Sequence, residues 1–583
     1  MLKFSRNKSG AALLRRHMVR MASSQGGKPP TSSPVKQLAG INFPDLVEGW
    51  DRHVFKKVGA GLTVGAGSTW FVFGLCQETV IVNVLVAAYW AVGWHDMQQR
   101  SHAILRNFPV LGNVRYLLES IRPEIQQYYV ETDDAGKPFT RLERSLVYQR
   151  AKGSVDTTPF GTRRDVYEDG YDYVAHSMYP VAVDHAFSRV KIGGKDCTKP
   201  YNASLLNVSG MSYGALSDNA VLALNQGAKI GGFYHNTGEG GVSRFHLQPG
   251  GDLVWNIGTG YFGCRNEDGT FSLENFKKQA SDDRIKMIEI KLSQGAKPGH
   301  GGLLPGAKVT PLIAEARGVK PGVDCNSPGR HSAFKDGHGL VQFIKTLRIA
   351  SGGKPVGFKL CVGRGDELCA LVSAMVEANT FPDFITVDGA EGGTGAAPPE
   401  FSNSVGTPLR EGLTMVNNVL RGAGCRDHIK IIASGKVSSG FSIVRNLALG
   451  ADLCNSARAM MFALGCVQAL KCNTNRCPTG ITTQDKELMQ GLDVESKSVR
   501  VYNYQAKTVE YALDIIGAMG LSSPNEVQPA HVYKRVDVDK TSSFAEIYPL
   551  VPEGCLLRGE GPKALQAYWD RGVAMNLKSA KLA

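Results

Sequence analysis

From about residue 200 the chain repeats one pattern. A short apolar run ends in Gly or a polar residue, and a stretch with helical spacing follows. Eight such runs occur: SLLNVS (204–209), GFYHN (232–236), LVWNIG (253–258), IKMIEIKL (285–292), PVGFKLC (355–361), DFITVD (383–388), IKIIAS (429–434) and ADLCNS (451–456). Eight strands alternating with helices predict an α/β fold closed into a parallel (β/α)8 barrel rather than an open sheet. In such a barrel chemistry belongs to the loops after the strands. The chain has 583 residues, and single cores stop growing at roughly 250–300 residues. One large domain with appended segments is therefore expected.

The pattern before residue 200 is different. Residues 58–94 are apolar, with Glu78 the only formal charge. A membrane-spanning helix needs about 20 apolar residues, and each half of this stretch is near or below that length. A helical hairpin with Glu78 near its turn, a single span and an interfacial pair all fit, as does a buried soluble pair. Trp70, Trp90 and Trp94 stand where interfacial anchors are expected, so the segment reads as membrane-associated. Residues 96–150 read as helices with charged faces. The division expected is 1–44 transit peptide or disordered tail, 45–100 membrane-associated helical segment, 101–199 helical arm and linker, 200–485 barrel, and 486–583 C-terminal helical extension.

Charge sharpens the reading of the first segment. The net charge is +13, and residues 1–44 hold eight Lys and Arg and no acid. Arg15, Arg16 and Arg20 lie among Leu13, Leu14, Met18 and Val19, the composition of an organellar transit peptide. A mitochondrial location, at the inner membrane, is expected. The rest of the chain mixes both signs and has no basic stripe interleaved with aromatics, so nucleic acid is not an expected partner.

The loops after the strands carry the candidate chemistry. They read SGMSYG, NTGEGG, KLSQGAKPGHGG, DGAEGGTGAAP, ASGKV and NSARAM. Gly-rich loops let backbone N–H groups approach an anion or a flat ring. A phosphate site commonly forms after strands seven and eight. Here those loops offer Gly435, Ser456 and Arg458, and a phosphorylated cofactor or substrate is expected there. Lys359 ends the fifth strand, where a fixed cation would favour the anionic reduced form of a flavin. GTGYFG (258–263) matches a dinucleotide fingerprint, but a turn-like CRNEDGT follows it instead of the helix that a pyrophosphate needs. No Walker A or H-E-x-x-H pattern occurs. No NAD(P) site is expected.

Of twelve cysteines, nine are scattered, and Cys466, Cys472 and Cys477 fall together in GCVQALKCNTNRCPTG (465–480). The C-x5-C-x4-C spacing, in a polar loop ending Cys-Pro, is similar to a cluster-ligand run. Structural zinc takes four ligands. The nearest histidines, His428 and His531, are not local, and Cys454 serves only if the fold brings it close. Plain packing is the remaining reading.

These loops, in this order over about residues 200–485, closely resemble the FMN-binding synthase domain of the glutamate synthase family. The HAILRNFP segment (102–109) resembles free-standing, membrane-anchored members. The resemblance implies a TIM-type barrel, FMN, and a [3Fe–4S] cluster on Cys466, Cys472 and Cys477. It implies FMN contacts at Ser209, Gly210, Met211, Lys359, the loop of Gly389, Gly392 and Gly393, Gly435 and Arg458. It implies a catalytic surface of Glu239, Lys291, Gln294 and Lys297, with 2-oxoglutarate or a glutamate-like substrate over the flavin. The implied activity is that of an oxidoreductase on CH–NH2 donors, reductively aminating 2-oxoglutarate or converting a related amino acid. Electrons would come from a donor protein or membrane carrier. A non-catalytic or electron-transfer subunit of a membrane assembly is the alternative. Two departures stand out. The family loop KPGEGG reads KPGHGG here, which puts His300 near the expected substrate. The family's amidotransferase domain is not expected in this polypeptide, which begins Met-Leu-Lys.

Overall fold

A computed structural model describes residues 49–582. The basic segment at 1–44 lies outside the described residues. The chain divides into two units, one up to Gln126 and one from Gln127.

The larger unit holds all eight expected strands. They are β1 (Leu206–Val208), β2 (His235–Asn236), β3 (Leu253–Ile257), β4 (Ile285–Lys291), β5 (Val356–Leu360), β6 (Phe384–Asp388), β7 (Lys430–Ser434) and β8 (Leu453–Ser456). They close into one barrel in chain order, each parallel to its neighbours, with β4 joined to β5 and β8 to β1. β2 is shorter than GFYHN suggested. Gly232 takes a left-handed φ of 62° to cap the preceding helix, so the strand starts only at His235. Between the barrel and its helices lies a continuous core that includes Trp255, Phe276, Phe358 and Leu413.

Register places polar strand ends side by side at one mouth. Lys291 of β4 pairs with Lys359 of β5, Asp388 of β6 with Ser434 of β7, and Ser434 with Asn455 of β8. Beneath them, buried Glu289 accepts from Asn236 Nδ2 at 2.8 Å, Asn256 Nδ2 at 2.6 Å and Thr386 Oγ1 at 2.6 Å. A carboxylate with three donors is stable inside a barrel where an unpartnered one is not.

The flanking segments are not purely helical, contrary to expectation. Residues 172–174, 532–537 and 540–543 form a three-stranded sheet, and strand 189–192 pairs with 201–204 just before β1. These strands are short, so their alternation is weak against a polar background. The C-terminal region also contains the long helix Val494–Ala518, which packs on the helix Asp218–Gly231. A Cβ on Gly227 would lie 2.7 Å from the Ser498 carbonyl, so only glycine permits that approach.

The smaller unit is a helical hairpin and its base. Helix α1 (Arg52–Phe73) is capped by Asp51, turns at Gly74 and returns as α2 (Gln77–Gln98). Glu78 lies in the first turn of α2. Each helix has 22 residues, a length of about 33 Å at 1.5 Å per residue. The helices meet through small residues. Gly59 faces the Trp90 ring, and a Cβ on Gly93 would fall 2.1 Å from Phe55. Tyr89 OH donates to the Phe55 carbonyl at 2.9 Å and Trp90 Nε1 to Thr63 Oγ1 at 3.0 Å. At the base, buried Asp96 accepts from Val110 N–H at 2.9 Å and Asn113 Nδ2 at 2.6 Å. That ties α2 to the start of α3 (Gly112–Ile125). Among the described residues α2 is the one helix long and apolar enough to cross a membrane by length and composition.

Candidate functional site

The barrel mouth contains a carboxylate–ammonium pair set in glycine. Glu239 sits in the loop after β2, and Lys291 Nζ from the end of β4 reaches its Oε2 at 2.8 Å. A Cβ at Gly302 would fall 2.7 Å from Glu239 Oε1, and one at Gly258 would fall 2.9 Å from Glu239 Cβ. Any larger residue at either position would displace the carboxylate. Burial works against the Glu239 charge, but Lys291, Arg317 and Lys297 more than offset it, so its pKa is lowered.

Lys297 is buried and donates to the Gly301 carbonyl at 2.9 Å and the Ala396 carbonyl at 3.3 Å. Burial lowers its pKa despite nearby Glu239. A carboxylate arriving here would exchange neutral carbonyl partners for a charged one, a stronger bond. His300 is exposed. Its Nδ1 donates to the Gly301 carbonyl at 2.9 Å, and its ring packs on Phe401 at 5.0 Å. It shares a loop with Lys297, whose carbonyl accepts the His300 backbone N–H at 3.4 Å, while its ring reaches the Gly301 carbonyl.

Beside this pair a cleft opens. Its walls include Ser209, Gly210, Gln294, Lys359, Gly392, Gly393, Gly435, Ser456 and Arg458 from the expected set. Met211 and Gly389 are not on its wall. Gly389 serves the loop's geometry, since its N–H donates to the Ser434 carbonyl at 2.8 Å. Lys359 Nζ lies 3.2 Å from Asp388. Burial opposes that cation, yet Asp388 and Glu289 hold its pKa above the ordinary lysine value. Arg458 is held by the Glu391 carbonyl, and a Cβ on Gly393 would fall 2.8 Å from its guanidinium. Gly435 has a φ of 156°. The donor set fits a phosphate-bearing flavin: Arg458, Lys436 and the β7 and β8 loop ends for the phosphate, Lys359 for the ring.

The three clustered cysteines line one cavity with Phe139, Arg458, Phe462 and Thr482. Among the described residues no three His, Cys, Asp or Glu side chains meet closely enough to hold a single metal ion. Thiols spaced around a cavity suit a multi-atom cluster better than one tetrahedral zinc. Cys454 lies in the core between the barrel and its helices, bonded to Asn446, and does not join them. Burial pushes the Cys466 thiol up to about 11. Burial also opposes ionisation of Cys477, but Thr479 and Thr482 bring it down to about 7. Lys308 Nζ donates to the Cys472 carbonyl at 3.3 Å, a buried cation beside the thiols. Tyr148 OH and Gln127 Nε2 pin the Cys466 and Val467 carbonyls at 2.6 and 3.2 Å.

Several residues of the site escaped the sequence reading. Phe139, from outside the barrel, lines both the cleft and the cysteine cavity. Arg458 Cζ stacks on its ring at 4.9 Å. Asp388 was legible as the polar end of DFITVD. Buried His331 donates Nε2–H to the Lys291 carbonyl at 2.9 Å. Its Nδ1 accepts from Tyr261 OH at 3.1 Å, since that hydroxyl already accepts the Ser332 and Ala333 N–H groups. Nothing local in the sequence marks His331. Burial brings its pKa down to about 4, so the ring stays neutral.

A parallel barrel whose mouth gathers cations around a glycine-lined cleft defines the class of protein. Comparison supplies the family. Residues 174–522 match the family model described as the conserved region in glutamate synthase. The chain is 40% identical over 484 residues to the glutamate synthase large subunit-like protein YerD of Bacillus subtilis (strain 168), covering 76% of this chain and 92% of that one. It is 36% identical over 317 residues to the archaeal glutamate synthase [NADPH] of Methanocaldococcus jannaschii, covering 54% of this chain and 59% of the relative. A solved mandelate oxidase with (S)-2-phenylpropionate is 15% identical with a TM-score of 0.38, covering 74% of this chain and 98% of that one. The chain belongs to the glutamate synthase family and contains its oxidoreductase domain.

Proposed function

We propose that this protein is an FMN- and [3Fe–4S]-dependent oxidoreductase that reductively aminates 2-oxoglutarate or converts a related amino acid. One observation carries the reading: the cleft whose donors suit a phosphate-bearing flavin and the cavity lined by three cysteines share a wall, Phe139 and Arg458. Two redox groups bound there would be neighbours. Bound FMN would supply hydride chemistry and the cluster single-electron transfer.

The chain's own residues do the rest. Ser456, Gly435, Arg458 and Lys436 hold the phosphate. Lys359, kept charged by Asp388 and Glu289, stabilises negative charge on the reduced ring. Lys291 and Lys297 bind the substrate carboxylates as point charges, and Gln294 faces the cleft to orient the reacting carbon. Glu239, ionised beside Lys291, fixes that lysine's position when no substrate is present. The electrons come from a donor protein or a membrane carrier.

The hairpin is the anchor. Phe71 is 93% exposed and Leu75 82% exposed at its tip. Arg52, Lys56, Lys57, Arg100 and Arg106 all lie at the opposite end. A hairpin inserted from one side puts the apolar tip in lipid and leaves the cations in water. The basic N-terminal segment directs it to mitochondria, at the inner membrane.

Anaerobic purification followed by visible and low-temperature EPR spectra tests the redox core. Flavin bands and an oxidised three-iron signal are expected, with the iron signal lost in Cys472→Ala. Reoxidation of the dithionite-reduced flavin by 2-oxoglutarate and ammonia then tests the reaction. Flavin without iron sinks the cluster. A folded protein with neither group favours the assembly-subunit role.

A further inference from the structure

Helix α3 presents an apolar stripe to solvent. Val114, Leu117, Leu118, Ile121 and Ile125 recur every three or four residues, with Leu117 60% exposed and Leu118 53%. The stripe adjoins an open groove of about 920 Å3 whose walls include Ile104, Phe108, Val114, Leu118 and Ile125. Arg115 and Arg122 stand on its rim. Glu119 is 3.9 Å from Arg122, but both side chains are more than half exposed, and such a pair contributes little.

We propose that α3 lies in the headgroup layer of a bilayer, with an acyl chain of an anionic phospholipid in the groove and its phosphate on Arg115 and Arg122. This rests on the hairpin being a membrane anchor. Two observations select lipid over a protein partner. The first is charge: the base of this unit, 49–57 and 95–126, holds seven Lys and Arg against four Asp and Glu. One of those acids, Asp96, is buried on its own donors. The second is continuity. Asp96 fixes α3 directly to the end of α2, so an inserted hairpin delivers the apolar face of α3 to the membrane surface. A basic amphipathic helix with a broad apolar face is the pattern of an interfacial helix.

Photo-crosslinking of the full chain in vesicles tests this. Benzoylphenylalanine replaces Phe73 at the tip, Leu117 on α3, or the exposed barrel residue Ile349, in phosphatidylcholine vesicles with and without phosphatidylglycerol. Lipid adducts are expected from the first two positions and not from the third. With phosphatidylglycerol present, the Leu117 yield rises several-fold, and Arg115→Gln/Arg122→Gln removes that rise. An adduct at Phe73 without one at Leu117 overturns the inference and leaves the anchor intact. A Leu117 crosslink to a second chain overturns it in favour of helix pairing. Adducts at neither position overturn the anchor and the inference together.

Discussion

The barrel and the hairpin solve opposite solvation problems. The barrel buries charge and must partner it: Glu289 with three donors, Lys359 with Asp388, Glu239 with Lys291. The hairpin leaves apolar residues outside, among them Phe71, Val72, Phe73 and Leu75. It reserves its close contacts for glycines and for polar groups such as Thr63, Tyr89 and Asp96. Water rewards the first arrangement, because apolar burial drives folding there. Lipid suits the second, because tails are as apolar as the side chains and helices associate through packing and hydrogen bonds. The function follows the same division. In the proposed function the barrel keeps charges poised for an anionic substrate, and the hairpin spends no charge on its long sides.

The contrast yields graded expectations. The largest concerns Glu289→Leu, which strands Asn236, Asn256 and Thr386. It costs about 3–5 kcal/mol in line with other broken buried charge networks, read as a lower unfolding midpoint in denaturant. If stability is unchanged, the barrel does not depend on partnered charge.

Acid comes next. His331 has its pKa lowered from 6.5 to about 4 by burial. The unfolded chain therefore binds the extra proton first, and stability falls as pH drops from 6.5 towards 4. A shift of this size is worth about 3 kcal/mol. His331→Gln should flatten that slope, and pH-dependent urea titration would detect it. Glu239 behaves as an ordinary paired carboxylate: its contribution is complete above the unfolded pKa and is lost as pH falls through its lowered folded value.

Lys291→Met should raise KM for a dicarboxylate by about 100-fold, the loss of a charge-assisted bond of about 2–3 kcal/mol, with a smaller change in kcat. Equal KM values would mean that the substrate binds elsewhere. Asp96→Asn, in the hairpin, keeps one acceptor of the Val110 and Asn113 contacts and should cost about 1 kcal/mol. The smallest effect on folding is expected at the exposed hairpin surface. Val64→Ser/Leu85→Ser should shift the barrel's unfolding midpoint by an amount within about 0.5 kcal/mol. The same change should weaken retention of the chain in detergent micelles. A large loss of stability there would mean that the apolar face is covered by protein.

Legibility tracked how local each cause is. The eight strands were readable because each is a contiguous buried run closed by a Gly-rich loop. Lys359, Arg458 and the cysteine trio were readable because a strand end or a short loop places them. The short strands at 172–174 and 532–543 were missed because three- to six-residue strands carry too little alternation to rise above their neighbours. Met211 and Gly389 came from the family resemblance, and neither lines the cleft.

Sequence alone was enough for the barrel and the polar ring at its mouth, since local periodicity and loop composition specify them, whereas it left the apolar stretch at 58–94 open between a hairpin and other arrangements and the structure chose the hairpin. Tertiary structure alone decided that Glu239 reaches Lys291 across 52 positions, that His331 orients Lys291 through its carbonyl, and that Phe139 stands between cleft and cysteines. Those pairings depend on how loops from distant strands pack together, and no short stretch of chain encodes a partner that folding has yet to bring near.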